Sequence, residues 1–179
     1  MKLYHAPENA SVRADIDRDL EFIFKNDPSA KSIDHVRTYT SAFAIAVYRL
    51  AHTVADDIRA RALAEYAKSL TGVDIHPRAT IGVPFAIDHG VGVVIGETTT
   101  IGNNCMLYHG VTLGAKHLKE RDQVGLIRHP QVGHNVIIYA NTTILGALAI
   151  PDGLLVPANR FIKSQTDLDE LVAAAARKK

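Results

Sequence analysis

The chain has 179 residues, of which 47% are apolar, a formal net charge of +1 and one cysteine, Cys105. That is enough for one core with a small appendage, and it excludes an internal disulfide or a cysteine zinc site. The near-balanced charge argues against nucleic acid or an acidic membrane surface as partner. The N-terminal MKLYHAPENAS has no apolar signal core, and the stretch SAFAIAVYRLAH is too short to span a bilayer, so a cytoplasmic location is expected.

Residues 11–70 read as helical. SVRADIDRDLEFIFKN opens with Ser11 as the expected N-cap and puts Val12, Ile16, Leu20 and Ile23 on one face. Pro28 ends it. The stretch from Ser32 to Leu70 carries one or two further helices, closed by a C-cap at Thr71-Gly72.

From Val73 the pattern changes to a beat of six. Aliphatic residues fall at Ile75, Ile81, Ile87, then Ile95, Ile101, Leu107, Leu113, then Val132, Ile138, Ile144, Ile150, Val156 and Ile162. Neither the helical nor the strand period gives six. Three six-residue sides per turn do, closing a triangular prism with each turn stacked on the last. Such a coil needs residues tolerant of left-handed backbone at its corners. Asn or Gly recurs three positions after the beat, at Asn104, Gly110, Asn135, Asn141, Gly153 and Asn159. The expected fold is a parallel β-helix solenoid of about four turns, mainly β with α. Its divisions are a helical region over 1–72, a coil over 73–163 and a capping helix over 164–179. In that last helix Thr166 and Asp169 form the expected capping box, and Arg177, Lys178 and Lys179 suit its C-terminal dipole.

The beat slips by two residues after Ile87, at Asp88-His89-Gly90, and is broken again after Leu113 by a long polar loop ending Arg128-His129-Pro130. Both interruptions place a histidine beside a charged residue outside the core, where a rigid scaffold carries functional groups. Other histidines (His5, His35, His52, His76, His109 and His117) are given no role.

The motifs DIHPRATIG, IDHGVGVVIGET, VTLG and RHP, in this order, resemble the serine O-acetyltransferases, a family of hexapeptide-repeat acyltransferases. The resemblance covers Val73 to Pro130 closely and the preceding helices loosely. It implies a left-handed β-helix and a homotrimer with active sites between subunits. It also implies acetyl transfer from acetyl-CoA, as co-substrate, to the hydroxyl of L-serine in cysteine biosynthesis. His89 matches the family's general base, a role suited to a histidine pKa. Asp74 matches the carboxylate that orients it. Asp88 and Asp27 match positions that bind the substrate ammonium. Arg128 and His129 match the carboxylate-binding pair supplied by the neighbouring subunit. Gly114, Ala115, Ala140 and Ala158 fall on the coenzyme's path, and no metal is implied.

The chain departs from the family in three places. The loop after VTLG is longer and carries Leu126-Ile127 before Arg128. Tyr139 and Pro157 stand where the family has the first glycine of Gly-Ala-Gly, adding bulk beside the coenzyme path. The chain ends Arg177-Lys178-Lys179 rather than in isoleucine, so docking to the next enzyme of cysteine synthesis is not expected. A trimer is the minimum unit, and pairing of trimers is left open. Three rivals stay open: acetyl transfer to another small hydroxyl or amine acceptor, a γ-carbonic-anhydrase-like zinc site using His129 and His134, and a non-catalytic structural trimer.

Overall fold

The computed structural model describes residues 9–116 and 126–177. His5, His117 with most of the loop after Ala115, Lys178 and Lys179 lie outside the described residues.

Helix α1 (Ala10–Asn26) buries Val12, Ile16, Leu20 and Ile23, the face its spacing predicts. Its cap is Asn9 rather than Ser11. The helix starts two residues earlier, so Ser11 lies inside the first turn and donates its N–H to the Asn9 side chain at 3.0 Å. It stops before Asp27, which is extended (φ −107°, ψ 104°) because the residue preceding a proline avoids helical backbone. The next stretch holds three helices, not one or two: α2 (Ile33–Val36), α3 (Thr40–Thr53) and α4 (Asp57–Thr71). Asp56 separates the last two by capping α4 through the Arg59 N–H, and Gly72 closes α4 at φ 69°.

The rest is three parallel sheets that the chain visits in rotation. The first contains β1 (Asp74–Ile75), β4 (Val94–Ile95), β7 (Thr112–Gly114), β10 (Thr143–Leu145) and β13 (Phe161–Ile162). The second contains β2 (Thr80–Ile81), β5 (Thr100–Ile101), β8 (Gln131–Val132) and β11 (Ala149–Ile150). The third contains β3 (Phe85–Asp88), β6 (Cys105–Tyr108), β9 (Ile137–Ile138) and β12 (Leu155–Val156). Each sheet gains one strand per turn, which makes four turns and a final strand. The beat residues pair with one another in register, as in Ile75↔Ile95 and Leu107↔Ile138, and all thirteen are buried. The six corner residues adopt φ between 57° and 69°. They lie where the chain passes from the second sheet to the third and from the third to the first. Helix α5 (Gln165–Ala176) closes the last turn with Leu168 and Leu171. Its capping box is Ser164 with Asp167, two residues before the expected pair, and this start lets both leucines reach the core.

A buried polar clamp fixes the helices on the first turn. Arg49 (7% exposed) donates to both carboxylate oxygens of Asp19 (2% exposed), and to the carbonyls of Ile81 and Gly82 at 2.5 and 2.7 Å. Asp19 also accepts the Phe85 N–H at 2.8 Å. Burial pushes the Tyr48 phenol up to about 12, so it stays protonated and donates to the Ala79 carbonyl at 2.7 Å.

Candidate active site

The slip in the beat forms a bulge at the third-to-first edge. Asp88 pairs with Tyr108, and beyond the slip Gly92 lies beside Gly110 while the Gly110 N–H reaches the Val91 carbonyl. The two residues without counterparts on the next turn are therefore His89 and Gly90. Both are left-handed, at φ 61° and 98°. Gly90 is required by space as well, since a Cβ there would meet Val73 at 2.9 Å and Ser41 at 3.2 Å. The bulge rests on the start of α3 and lifts His89 outward, with 73% of its side chain exposed.

His89 Nε2 stands 4.0 Å from Asp88 Oδ1, and its ring meets His109 edge-on at 5.5 Å. The Nδ1 of His109 is buried and has no partner among the described residues. Asp74 opens β1 on this same edge, but its carboxylate accepts from Lys68 Nζ at 2.7 Å, a hydrogen bond that raises the Lys68 ammonium pKa. The expected Asp74–His89 hydrogen bond is not made in this chain. The cause is local: Asp74 pairs with Val94, beyond the bulge, and Lys68 in the last turn of α4 reaches it first. Asp27 sits at the end of α1, its carboxyl held below the usual range by hydrogen bonding to Ser29, with a further contribution from Tyr39. Tyr39 precedes α3, and Ser41 two residues on lies under Gly90, so Asp27 belongs to the same neighbourhood.

The register continues this edge as a column of Asp88, Tyr108, Tyr139 and Pro157, each one turn further along. Tyr108 and Tyr139 stack at 5.0 Å with 22° between their planes. Burial, and then the Asp88 charge, push the Tyr108 hydroxyl up. Ala140 and Ala158 follow on this edge at the third and fourth turns.

Arg128 and His129 are on a different edge, first-to-second. Glu97 Oε2 holds Arg128 Nη2 at 2.5 Å. The Thr98 hydroxyl accepts the N–H groups of Arg128 and His129 at 3.0 and 3.1 Å, and the Thr98 N–H donates to His129 Nδ1 at 3.2 Å. Because Nδ1 accepts, the neutral imidazole carries its proton on Nε2. His129 is 6% exposed and packs over Gly96, where a Cβ would fall 2.1 Å from the ring. Gly114 and Ala115 share this edge, so the four residues expected beside the coenzyme divide between two edges.

Glu97, Thr98 and His109 were not singled out from the sequence. Stacking by one turn offers a signal for the first two alone: Glu97-Thr98 follow Ile95 as Arg128-His129 precede Val132, and the pairs lie 31 positions apart. Among the described residues no group of three or more His, Cys, Asp or Glu could hold a metal ion, and His134 Nδ1 accepts the Asn103 N–H at 3.0 Å. No described helix is long and apolar enough to cross a membrane.

No family model matches the chain. It is 40% identical over 148 residues to a serine acetyltransferase of Staphylococcus aureus, covering 80% of this chain and 67% of that one. It is 38% identical over 169 residues to the plasmid serine acetyltransferase of Synechococcus elongatus, covering 89% of this chain and 53% of that one. The fold superposes with a TM-score of 0.77 on a solved serine acetyltransferase in complex with CoA, 29% identical over 91% of this chain and 66% of the other. The chain thus spans about half the length of the cyanobacterial relative and two thirds of the staphylococcal one.

Proposed function

The chain belongs to the serine acetyltransferase family, and from that premise we propose that it transfers the acetyl group of acetyl-CoA to the hydroxyl of L-serine. The observation that carries this reading is the two-residue bulge that lifts His89 out of an otherwise monotonous coil, beside Asp88 and below the column toward Ala140 and Ala158. A serine hydroxyl is a weak nucleophile, and a neutral imidazole at this position accepts its proton as the oxygen attacks the thioester carbonyl. The tetrahedral adduct then collapses and expels the thiolate, which takes the proton back from His89. The His109 ring, 5.5 Å from that of His89, supports the developing oxyanion through a ring N–H. Asp74 orients His89 once its carboxylate turns from Lys68. Asp88 and Asp27 bind the substrate ammonium. Arg128, held by Glu97, and the Nε2–H of His129, fixed by Thr98, bind the carboxylate.

These groups require more than one chain. His89 and Arg128 occupy opposite edges of the first sheet, and a six-residue side spans up to about 20 Å. Serine is far shorter than that. We therefore propose that the coil closes as a left-handed β-helix and that three copies associate, with His89 of one facing Arg128 and His129 of the next. The similarity to the CoA complex supports acetyl-CoA as donor, with Gly114, Ala115, Ala140 and Ala158 along its path.

The test is thiol release from acetyl-CoA across a panel of amino-acid and amino-sugar acceptors. L-serine is expected to be the preferred acceptor, with O-acetylserine as product. Preference for an amino sugar would assign the site to another acceptor, and no release with any acceptor would leave a structural trimer.

A further inference from the structure

Two ion pairs close the two halves of the site within the single chain. On the third-to-first edge, Lys68 Nζ holds Asp74 Oδ2 at 2.7 Å, which keeps that carboxylate from His89. On the first-to-second edge, Glu97 Oε2 holds Arg128 Nη2. A second carboxylate brought to that guanidinium meets the Glu97 charge, so serine forks fully onto Arg128 only when Glu97 moves off. The two blocking groups, Lys68 and Glu97, carry opposite charges, and each side chain is 42% exposed.

The register sets them opposite each other. Asp74 lies one turn before Val94, which follows the bulge that carries His89. Glu97 lies one turn before Arg128, 31 positions earlier in the chain. Copies arranged so that His89 of one faces Arg128 of the next therefore bring Lys68 of the first to Glu97 of the next, each one turn back. A cavity of about 390 Å³ beside Glu97 leaves room for an incoming ammonium, and Asp57, Arg61, His76 and Arg78 also line it. Arg78 is engaged by Asp57 and by the carbonyls of Val54 and Ala55, and Arg61 by Glu65. Of the two carboxylates in that lining, Glu97 is the one that loses its partner when Arg128 turns to substrate.

We propose that Lys68 and Glu97 are positioning residues that exchange partners on assembly. Lys68 of one copy pairs with Glu97 of the next, which frees Asp74 to orient His89 and frees Arg128 to fork onto the serine carboxylate. Two ion pairs within each chain become one between chains, plus the two contacts that catalysis uses. In a lone chain both halves of the site stay closed. This rests on the acetyltransferase reading and on the assembly proposed above.

The experiment is steady-state kinetics of the full chain as Lys68→Met, as Glu97→Gln, and as the exchanged double variant Lys68→Glu with Glu97→Lys, with assembly followed by native mass spectrometry. The effects should cross from one edge to the other. Lys68→Met leaves Glu97 on Arg128, so serine KM should rise about tenfold, the value of one charge-assisted contact, while kcat moves less than about threefold. Glu97→Gln leaves Lys68 on Asp74, so kcat should fall about tenfold while serine KM moves less than about threefold. The exchanged variant remakes the pair with its charges reversed and should be about fivefold or more above Lys68→Glu and Glu97→Lys taken singly. If either single reversal dissociates, reassembly of the double variant supports the pair and continued dissociation overturns it. Effects confined to each residue's own edge, with Glu97→Gln moving only serine KM and Lys68→Met only kcat, would also overturn it, as would an exchanged variant no better than its singles. Those results with an assembled wild type that acetylates serine would strike this proposal alone; a wild type that transfers no acetyl group would strike the acetyltransferase reading with it.

Discussion

Replacing His89 with alanine is expected to lower kcat by about 10²–10⁴, the usual loss when a general base is removed. KM should change little, because the side chain acts on a proton that moves only in the transition state. The position is left-handed, φ 61°, a backbone in which histidine and asparagine are enriched and alanine is not, so alanine adds a fraction of the left-handed cost on top of the lost base. His89→Asn separates the two effects, since asparagine tolerates that backbone and cannot act as a base. Both variants should lose kcat alike, and only the alanine variant should lose any stability. Near-wild-type kcat in His89→Asn would remove the general-base role.

The second large effect is on stability. Asp19→Ala should destabilise the chain by about 3–5 kcal/mol, because it leaves the Arg49 guanidinium buried without its counter-charge. The Phe85 N–H loses its acceptor in the same step. Ordinary surface ion pairs here, such as Lys25–Glu21, should contribute under about 1 kcal/mol. Urea unfolding measures the difference. A midpoint shift no larger than that of Lys25→Ala would mean that the helices do not depend on this clamp.

The coil was legible because its requirements repeat. Every turn needs an aliphatic residue inward at one phase and a left-handed corner at another, and Ile138 with Asn141 meets both as Leu107 with Gly110 does. The helix starts were legible only to within two residues. Asn9 and Ser11, like Ser164 and Thr166, can each cap, and the choice falls to which start brings Val12 or Leu168 into the core. His89 stood out because the slip marks it. Glu97, Thr98 and His109 did not, because each lies at an unbroken part of the beat and its role depends on a neighbour one turn away. The Lys68–Asp74 pair was not legible at all. It joins a helix to a strand through side chains alone, and nothing in the local pattern of α4 distinguishes Lys68 from a solvated charge.

In the proposed assembly each active site is divided between the third-to-first edge of one copy and the first-to-second edge of the next. Mixing His89→Ala chains with Arg128→Ala chains, by co-refolding with mixed assemblies verified by native mass spectrometry, tests it most directly. In a cyclic assembly each interface draws one residue from each neighbour, so random mixing should leave about a quarter of the interfaces wholly wild type. The mixture should therefore reach about a quarter of wild-type activity at low serine, well above either parent. Verified mixed assemblies with activity no higher than the mean of the two parents would place both residues in one chain's own site and contradict the account.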